Sequence, residues 1–159
     1  LENPLVVLAA HNHPLAGEKN IPLSRLVEEP FLMREPGSGT RLATERFFGE
    51  RGLKLKVRME LGSNEAIKQA VAGGLGIAVL SAHTLALERN SDELVFLDVE
   101  SFPIRRHWYV AYPKDKQPSV VALAFLDFLR QESKVLGEHY LRNITGFPAL
   151  GDKKNKGAA

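Results

Sequence analysis

Residues 62–81, GSNEAIKQAVAGGLGIAVLS, decide the fold class of this chain. Ser63 is a good N-cap for a helix whose apolar residues recur at helical spacing, and Gly73 and Gly74 end that helix. The wholly apolar run that follows at residues 77–80 is typical of a buried strand in a parallel sheet. A helix joined by a short turn to such a strand predicts an α/β fold.

The alternation of strands and helices continues in both directions from this stretch. Apolar patterning predicts strands at residues 5–10, 31–33, 53–61, 94–97 and 107–112. In the strand at residues 53–61, apolar and charged residues alternate, so one face should be exposed to solvent. Helical spacing predicts helices around residues 42–48 and 120–132, and Ser81 caps a short one. The apolar stripe of the helix at 120–132 is so wide that we expect burial on more than one side, and the short connections predict a mostly parallel sheet.

The composition excludes several classes of protein. Of the 159 residues, 44% are hydrophobic and 25% are charged, which is ordinary for a globular protein and argues against a disordered chain. No apolar run approaches the roughly 20 residues that span a bilayer, so no membrane partner is expected. A net charge of +2 does not indicate a polyanion-binding protein. The absence of cysteine excludes disulfides and thiolate chemistry, and it fits a cytoplasmic location.

One loop is a candidate anion site. Residues 36–40, PGSGT, lie between a predicted strand and a predicted helix, where free backbone N–H groups and the helix dipole attract negative charge. Ser38 and Thr40 add hydroxyl groups, and Arg34 and Arg41 add positive charge. The loop therefore suits the carboxylate or phosphate of a small anion. The alternative, that Ser38 or Thr40 merely caps the helix, stays open.

A second helix start could face the same cleft. Ser63 and Asn64 open the helix of the deciding stretch, and doubly wound folds place ligands at the carboxyl ends of their strands. Simple capping by Ser63 is the alternative.

Other motifs carry no chemistry. Residues 73–76, GGLG, follow a helix and precede a strand, which is the reverse of a dinucleotide-binding fingerprint. His11 and His13 have no third metal ligand at a suitable spacing. The sequence contains no G-x-S-x-G nucleophile elbow and no evident carboxylate pair. We therefore predict no catalytic residue, no metal and no cofactor.

Four motifs together resemble a known family. They are HPLA at residues 13–16, REPGSGTR at 34–41, the deciding stretch at 62–81, and AFLDFL at 124–129. Over about residues 3–133 the chain resembles the effector-binding domain of LysR-type transcriptional regulators. The sequences REPGSGTR and SNEAIKQAV are most similar to those of the branch that regulates carbon-fixation (Calvin cycle, RubisCO) operons.

The resemblance implies a type 2 periplasmic-binding-protein-like fold with two α/β lobes and a ligand cleft between them. Residues 14–106 would form a complete second lobe. Residues 1–13 would supply a crossover strand of a partial first lobe, residues 107–140 its return strand and helix, and residues 141–159 a tail. Because the chain opens directly on a strand, without methionine or a basic leader, we expect a fragment. Operator DNA would then be bound only through a missing N-terminal domain.

The resemblance also implies the site and the partners. Ser38, Gly39 and Thr40 match the anion-binding loop, Arg34 is a charge partner, and Ser63 and Asn64 lie at the next helix start. The effector would be a small anion, such as a phosphorylated metabolite or NADPH, and the protein would self-associate to a dimer or tetramer. Two alternatives stay open: a solute-binding protein of a transport system, and an enzyme on a related bilobal fold.

Overall fold

Short strands and helices alternate through residues 1–85 and 93–142, which are the residues that the computed structural model describes. The strands are β1 (Leu5–Ala10), β2 (Pro30–Arg34), β3 (Lys56–Leu61), β4 (Ile77–Ser81) and β5 (Leu94–Phe96). The helices are α1 (Leu23–Leu26), α2 (Gly39–Gly49), α3 (Asn64–Ala72) and α4 (Val120–Arg142), with a 3-10 turn at Ala82–Leu85. These elements confirm the α/β fold predicted from the sequence.

The five strands form one mixed sheet in the order β3-β2-β4-β1-β5. β2 is parallel to β3 and β4, whereas β1 is antiparallel to both β4 and β5. The prediction of a mostly parallel sheet is therefore wrong. A strand that is buried on both faces reads as a continuous apolar run whichever way it points, so its direction is not visible in the sequence.

β1 lies inside the sheet formed by the strands of residues 14–106. Leu5 to Leu8 pair with β4, and Leu8 to Ala10 pair with β5. The strand assigned to the crossover thus extends the sheet of the second lobe. The lobe boundaries themselves stay a prediction.

Apolar side chains cover the sheet on both faces, because alternate residues of each strand point to opposite sides. On one face Val7, Phe31 and Val79 pack with Phe47 and Phe48 of α2. The opposite face packs against α3, through the buried residues Leu8, Leu32, Ala78, Leu80, Ile67 and Val71. Helices α2 and α3 therefore lie on opposite faces of the sheet.

The edge strand β3 differs from its prediction. Val57 and Met59, expected on a buried face, are 45% and 39% exposed. β3 is one of the two edge strands of the described sheet, and its neighbour there is β2. The half-buried Leu53 and Leu55, which precede it, are the residues that join the core.

The strand predicted at residues 107–112 is not formed. Its only pairing within the described residues is a single bridge between His107 and Glu2, with Trp108 N–H donating to the Leu1 carbonyl at 2.8 Å. A strand needs a hydrogen-bonded neighbour along its length, and within the described residues the backbone of this segment is hydrogen-bonded only to Leu1. Trp108 and Tyr109 are 49% and 84% exposed.

α4 is longer and more exposed than predicted. Ala122, Leu126 and Leu129 are half-buried. The neighbouring stripe is exposed, at 79% for Val121 and 58% for Phe125, so the prediction of burial on more than one side is wrong for this chain. No helix among residues 1–85 and 93–142 is both long and apolar enough to cross a membrane. The predicted tail lies outside the described residues from residue 143 onward.

Candidate functional site

Two helices begin at the same edge of the sheet. β2 and β3 are parallel, and the last residue of β2, Arg34, pairs in register with the last residue of β3, Leu61. α2 follows β2 and α3 follows β3, each after a short loop. The N-termini of α2 and α3 therefore meet at the carboxyl end of the sheet, although the helices cover opposite faces. This is the edge at which open α/β sheets bind ligands.

Ser38 caps α2. Its backbone is extended, and its Oγ accepts a hydrogen bond from the Arg41 N–H at 3.5 Å. Gly37, with φ +89°, makes the preceding turn in a conformation that side chains disfavour. Capping and ligand binding are compatible, because the other N–H groups of the first turn have no acceptor within the helix.

Thr40 offers a free hydroxyl beside these amides. Its carbonyl accepts a hydrogen bond from Thr44 Oγ1 at 2.8 Å, whereas its own Oγ1 has no partner in the described part of the chain. The first turn of α2 contains no acidic residue. The Ser38–Gly39–Thr40 loop therefore keeps the positive end of the helix dipole uncompensated.

The start of α3 is less favourable for an anion. Ser63 Oγ accepts from the Ala66 N–H at 3.1 Å, so the capping role is confirmed. Glu65 in the first turn already places a carboxylate at the positive end of this helix, and it pairs with the buried Lys68 at 2.8 Å. An effector here would meet like charge.

Arg34 joins the two helix starts. Its Nε and Nη2 donate to the two carboxylate oxygens of Glu35 at 2.7 and 2.8 Å, and its Nη1 donates to Asn64 Oδ1. The Arg34 guanidinium lowers the pKa of the Glu35 carboxyl below its ordinary value, chiefly through these hydrogen bonds. The fork of Arg34 is thus occupied by a neutralising partner and by the first residue of α3.

Arg41 is also neutralised. Its Nε and Nη1 lie 2.7 Å from the carboxylates of Glu45 and Glu60, respectively. Nη1 also donates to the Arg34 carbonyl at 3.0 Å. Arg41 therefore ties α2 to the ends of β2 and β3.

Arg106 lies beside the candidate loop, and the sequence analysis did not single it out. Its Nη1 donates to the Gly39 carbonyl at 2.5 Å, and a Cβ on Gly39 would lie 3.6 Å from the same nitrogen. The Arg106 carbonyl accepts from the Asn3 N–H at 2.7 Å, so the residue sits where the two crossover segments meet. Its separation of 67 residues from Gly39 leaves no local pattern; the only signal was the Arg105-Arg106 pair.

His13, one of the two histidines considered as metal ligands, makes ordinary contacts. His13 Nδ1 accepts from the Leu15 N–H at 3.2 Å, and its Nε2 lies 3.5 Å from the Glu29 carboxylate. Within the described ranges, no group of three or more His, Cys, Asp or Glu residues could hold a metal ion.

Comparison with known proteins identifies the family. The model of the LysR substrate binding domain matches residues 1–134. The chain belongs to this family.

Two curated relatives are transcription regulators by name. The HTH-type transcriptional activator CmpR of Synechocystis sp. is 61% identical over 129 residues, covering 81% of this chain and 42% of CmpR. A RuBisCO operon transcriptional regulator of Allochromatium vinosum is 54% identical over 133 residues, covering 84% of this chain and 44% of that protein. The chain thus spans less than half the length of these relatives.

Solved structures confirm the fold. The CcmR regulatory domain of Synechocystis PCC6803, in complex with 2-PG, superposes with a TM-score of 0.81 at 56% identity, covering 84% of this chain and 64% of that one. The effector binding domain of QuiR, in complex with shikimate, gives a TM-score of 0.72 at 26% identity, covering 84% and 63%. The chain therefore has the periplasmic-binding-protein-like α/β fold of LysR effector-binding domains.

Proposed function

We propose that this chain is the effector-sensing domain of a LysR-type transcriptional regulator and that it binds a small anionic metabolite. One observation carries the proposal: the N-termini of α2 and α3 meet at the carboxyl edge of the sheet, and Arg34 bridges them through Asn64. Ser38, Gly39 and Thr40 would hold the anionic group. Ser63 and Asn64 would line the neighbouring helix start, with Arg34 as the residue that positions Asn64.

The effector is an anion because of the groups that converge on the loop. Backbone N–H groups, a hydroxyl and the positive end of a helix dipole all favour negative charge. CcmR, a relative at 56% identity, binds 2-PG. 2-PG is therefore the first candidate, followed by phosphorylated metabolites and NADPH.

Carbon-fixation genes are the proposed targets. The relatives CmpR and the RuBisCO operon regulators support this branch. Operator DNA would be bound through a part of the protein outside this chain, in the cytoplasm. The chain itself would act by binding and not by catalysis, since the relatives named here are regulators and not transporters or enzymes.

The proposed mechanism is a shift between arrangements of the protein. An effector favours the lobe or subunit arrangement to which it binds more tightly, by no more than its difference in affinity. In a dimer or tetramer, that shift would change how the protein binds DNA.

Thr40→Val tests the site. The variant keeps the shape of the side chain but loses the free hydroxyl, so 2-PG should raise the Tm of the full-length wild-type regulator and leave that of the full-length variant unchanged. Thr44→Val is the matched control on the same helix. It removes the buried hydroxyl that donates to the Thr40 carbonyl, which should cost about 1 kcal/mol of stability while the 2-PG effect remains.

Differential scanning fluorimetry separates the outcomes. Equal stabilisation of Thr40→Val and wild type would refute the site. If neither 2-PG nor NADPH stabilises the wild type, the proposed function is wrong.

A further inference from the structure

Three arginines surround the anion loop, and they differ in how their charge is balanced. Arg34 gives two donors to the carboxylate of Glu35. Arg41 contacts the carboxylates of Glu45 and Glu60. Both guanidinium groups therefore have their charge compensated by neighbours in the chain.

Arg106 has no such compensation. Its side chain donates to the neutral carbonyl of Gly39, and no carboxylate among residues 1–85 and 93–142 pairs with it. It lies at the N-terminus of α2, where the helix dipole is also positive. An anion at this position would be attracted both by the guanidinium group and by the positive end of the helix dipole.

The position of Arg106 matches that role. Its guanidinium reaches over the first residue of α2, and its side chain is neither buried nor fully exposed. One N–H of its guanidinium donates to the Gly39 carbonyl. A guanidinium has five N–H donors, so the others can bind a planar or tetrahedral anion. Arg34, in contrast, has its Nε, Nη1 and Nη2 already engaged.

We propose that Arg106 supplies the positive charge that holds the anionic group of the effector above the Ser38–Gly39–Thr40 loop. The inference rests on the proposed function and deepens it, by naming the residue that determines specificity for anions. It also places the ligand against the crossover, because the Arg106 carbonyl bonds the Asn3 N–H. Effector binding would thereby act directly on the segments that join the two lobes.

Titration calorimetry with 2-PG tests the inference. R106Q removes the charge and should raise the Kd of the full-length regulator for 2-PG by about tenfold or more. R105Q is the matched control: the neighbouring residue loses the same charge, but its guanidinium lies 3.7 Å from Glu2 and away from the loop, so the Kd should change by less than about twofold.

The salt dependence of Kd separates a charge role from a structural one. If Arg106 only props up α2 through the Gly39 carbonyl, R106Q will weaken binding without changing its salt dependence. If it contacts the anion, R106Q will also flatten the salt dependence, whereas R106K will keep most of it. Should R106Q not fold, R106K carries the test, and salt-independent binding by R106K overturns the proposal.

The two hypotheses fail in different ways. If the wild type binds 2-PG and R106Q binds it equally well, the role of Arg106 is overturned and the proposed function stands. The same holds if R105Q weakens binding as much as R106Q does. A wild-type protein that binds neither 2-PG nor NADPH refutes the proposed function, and the role of Arg106 with it.

Discussion

At the scale of single residues, close contacts and paired charges shape the edge where the site lies. Arg34 and Arg41 are held by Glu35, Glu45 and Glu60, so they organise the loop while adding little net charge to it. Gly76, which immediately precedes β4, is fixed by close packing and not by charge. Its φ is +155°, and a Cβ there would lie 2.3 Å from the Pro30 carbonyl oxygen. β4 can approach β2 this closely only because Gly76 has no side chain.

Gly76→Ala should therefore destabilise the protein by about 2 kcal/mol or more, because the new methyl group meets backbone and the φ is unfavourable. Gly49→Ala is the control. No atom lies within 4 Å of its Cβ position at the end of α2, so stability should rise by about 0.5 kcal/mol or stay level. Urea unfolding followed by circular dichroism gives both values. A Gly76→Ala variant as stable as wild type would contradict the close approach of the two strands.

At the scale of elements, α2 connects the core to the site. One side of the helix buries Phe47 and Phe48, which meet edge to face with ring centroids 5.3 Å apart. Phe48 also packs edge to face on Phe31 of β2 at 5.9 Å. These aromatic contacts fix the helix on the sheet, so they also fix where its N-terminus lies.

Phe48→Ala should cost about 3–5 kcal/mol, since the side chain is 1% exposed and its removal leaves a cavity. Leu42→Ala, on the same helix but 58% exposed, should change stability by less than about 0.5 kcal/mol. Chemical denaturation measures the difference. Similar losses for the two variants would mean that α2 is not anchored through Phe48.

At the scale of the whole molecule, an apolar stripe on α4 has no cover in the described part of the chain. Val121, Phe125 and Phe128 recur at helical spacing and are 79%, 58% and 53% exposed. Contiguous exposed apolar patches are characteristic of interaction surfaces, so the stripe is a candidate for one. In the whole protein the rest of the first lobe would cover this stripe, and we propose that this chain by itself covers it by self-association, in keeping with the expected dimer or tetramer.

Light scattering should then give a mass above that of the monomer, rising with protein concentration. Phe125→Glu places a charge in the stripe and should shift the protein towards monomer. Leu42→Glu makes an equivalent change at an exposed position of α2, where 58% of the side chain is accessible, and should leave the mass unchanged. A monomeric mass at every concentration would refute self-association through this face.

Local signals predicted most of the elements, because their causes are local. Ser63 and Ser38 precede α3 and α2 and cap them, and the runs at residues 5–10 and 77–81 form β1 and β4. The segment at residues 107–112 failed as a strand for the opposite reason. It has the right composition, but a strand exists only where a neighbour supplies hydrogen bonds.

The candidate site also has one part that local sequence predicts and one part that depends on long-range contacts. The loop Ser38–Gly39–Thr40 was predictable, since a turn rich in glycine between a strand and a helix exposes backbone N–H groups wherever it occurs. The bond between Arg34 and Asn64 and the placement of Arg106 over Gly39 join residues that are 30 and 67 positions apart. No local pattern encodes such contacts.

Local sequence patterns thus account for the alternation of strands and helices, the caps of α2 and α3, and the loop suited to an anion. The direction of β1, the exposure of α4 and the arginine with an uncompensated charge became visible only in the folded chain. The physical reason is one of range. Capping, periodicity and turn formation depend on residues within a few positions of one another, whereas strand direction, burial and charge pairing depend on which distant segments come into contact.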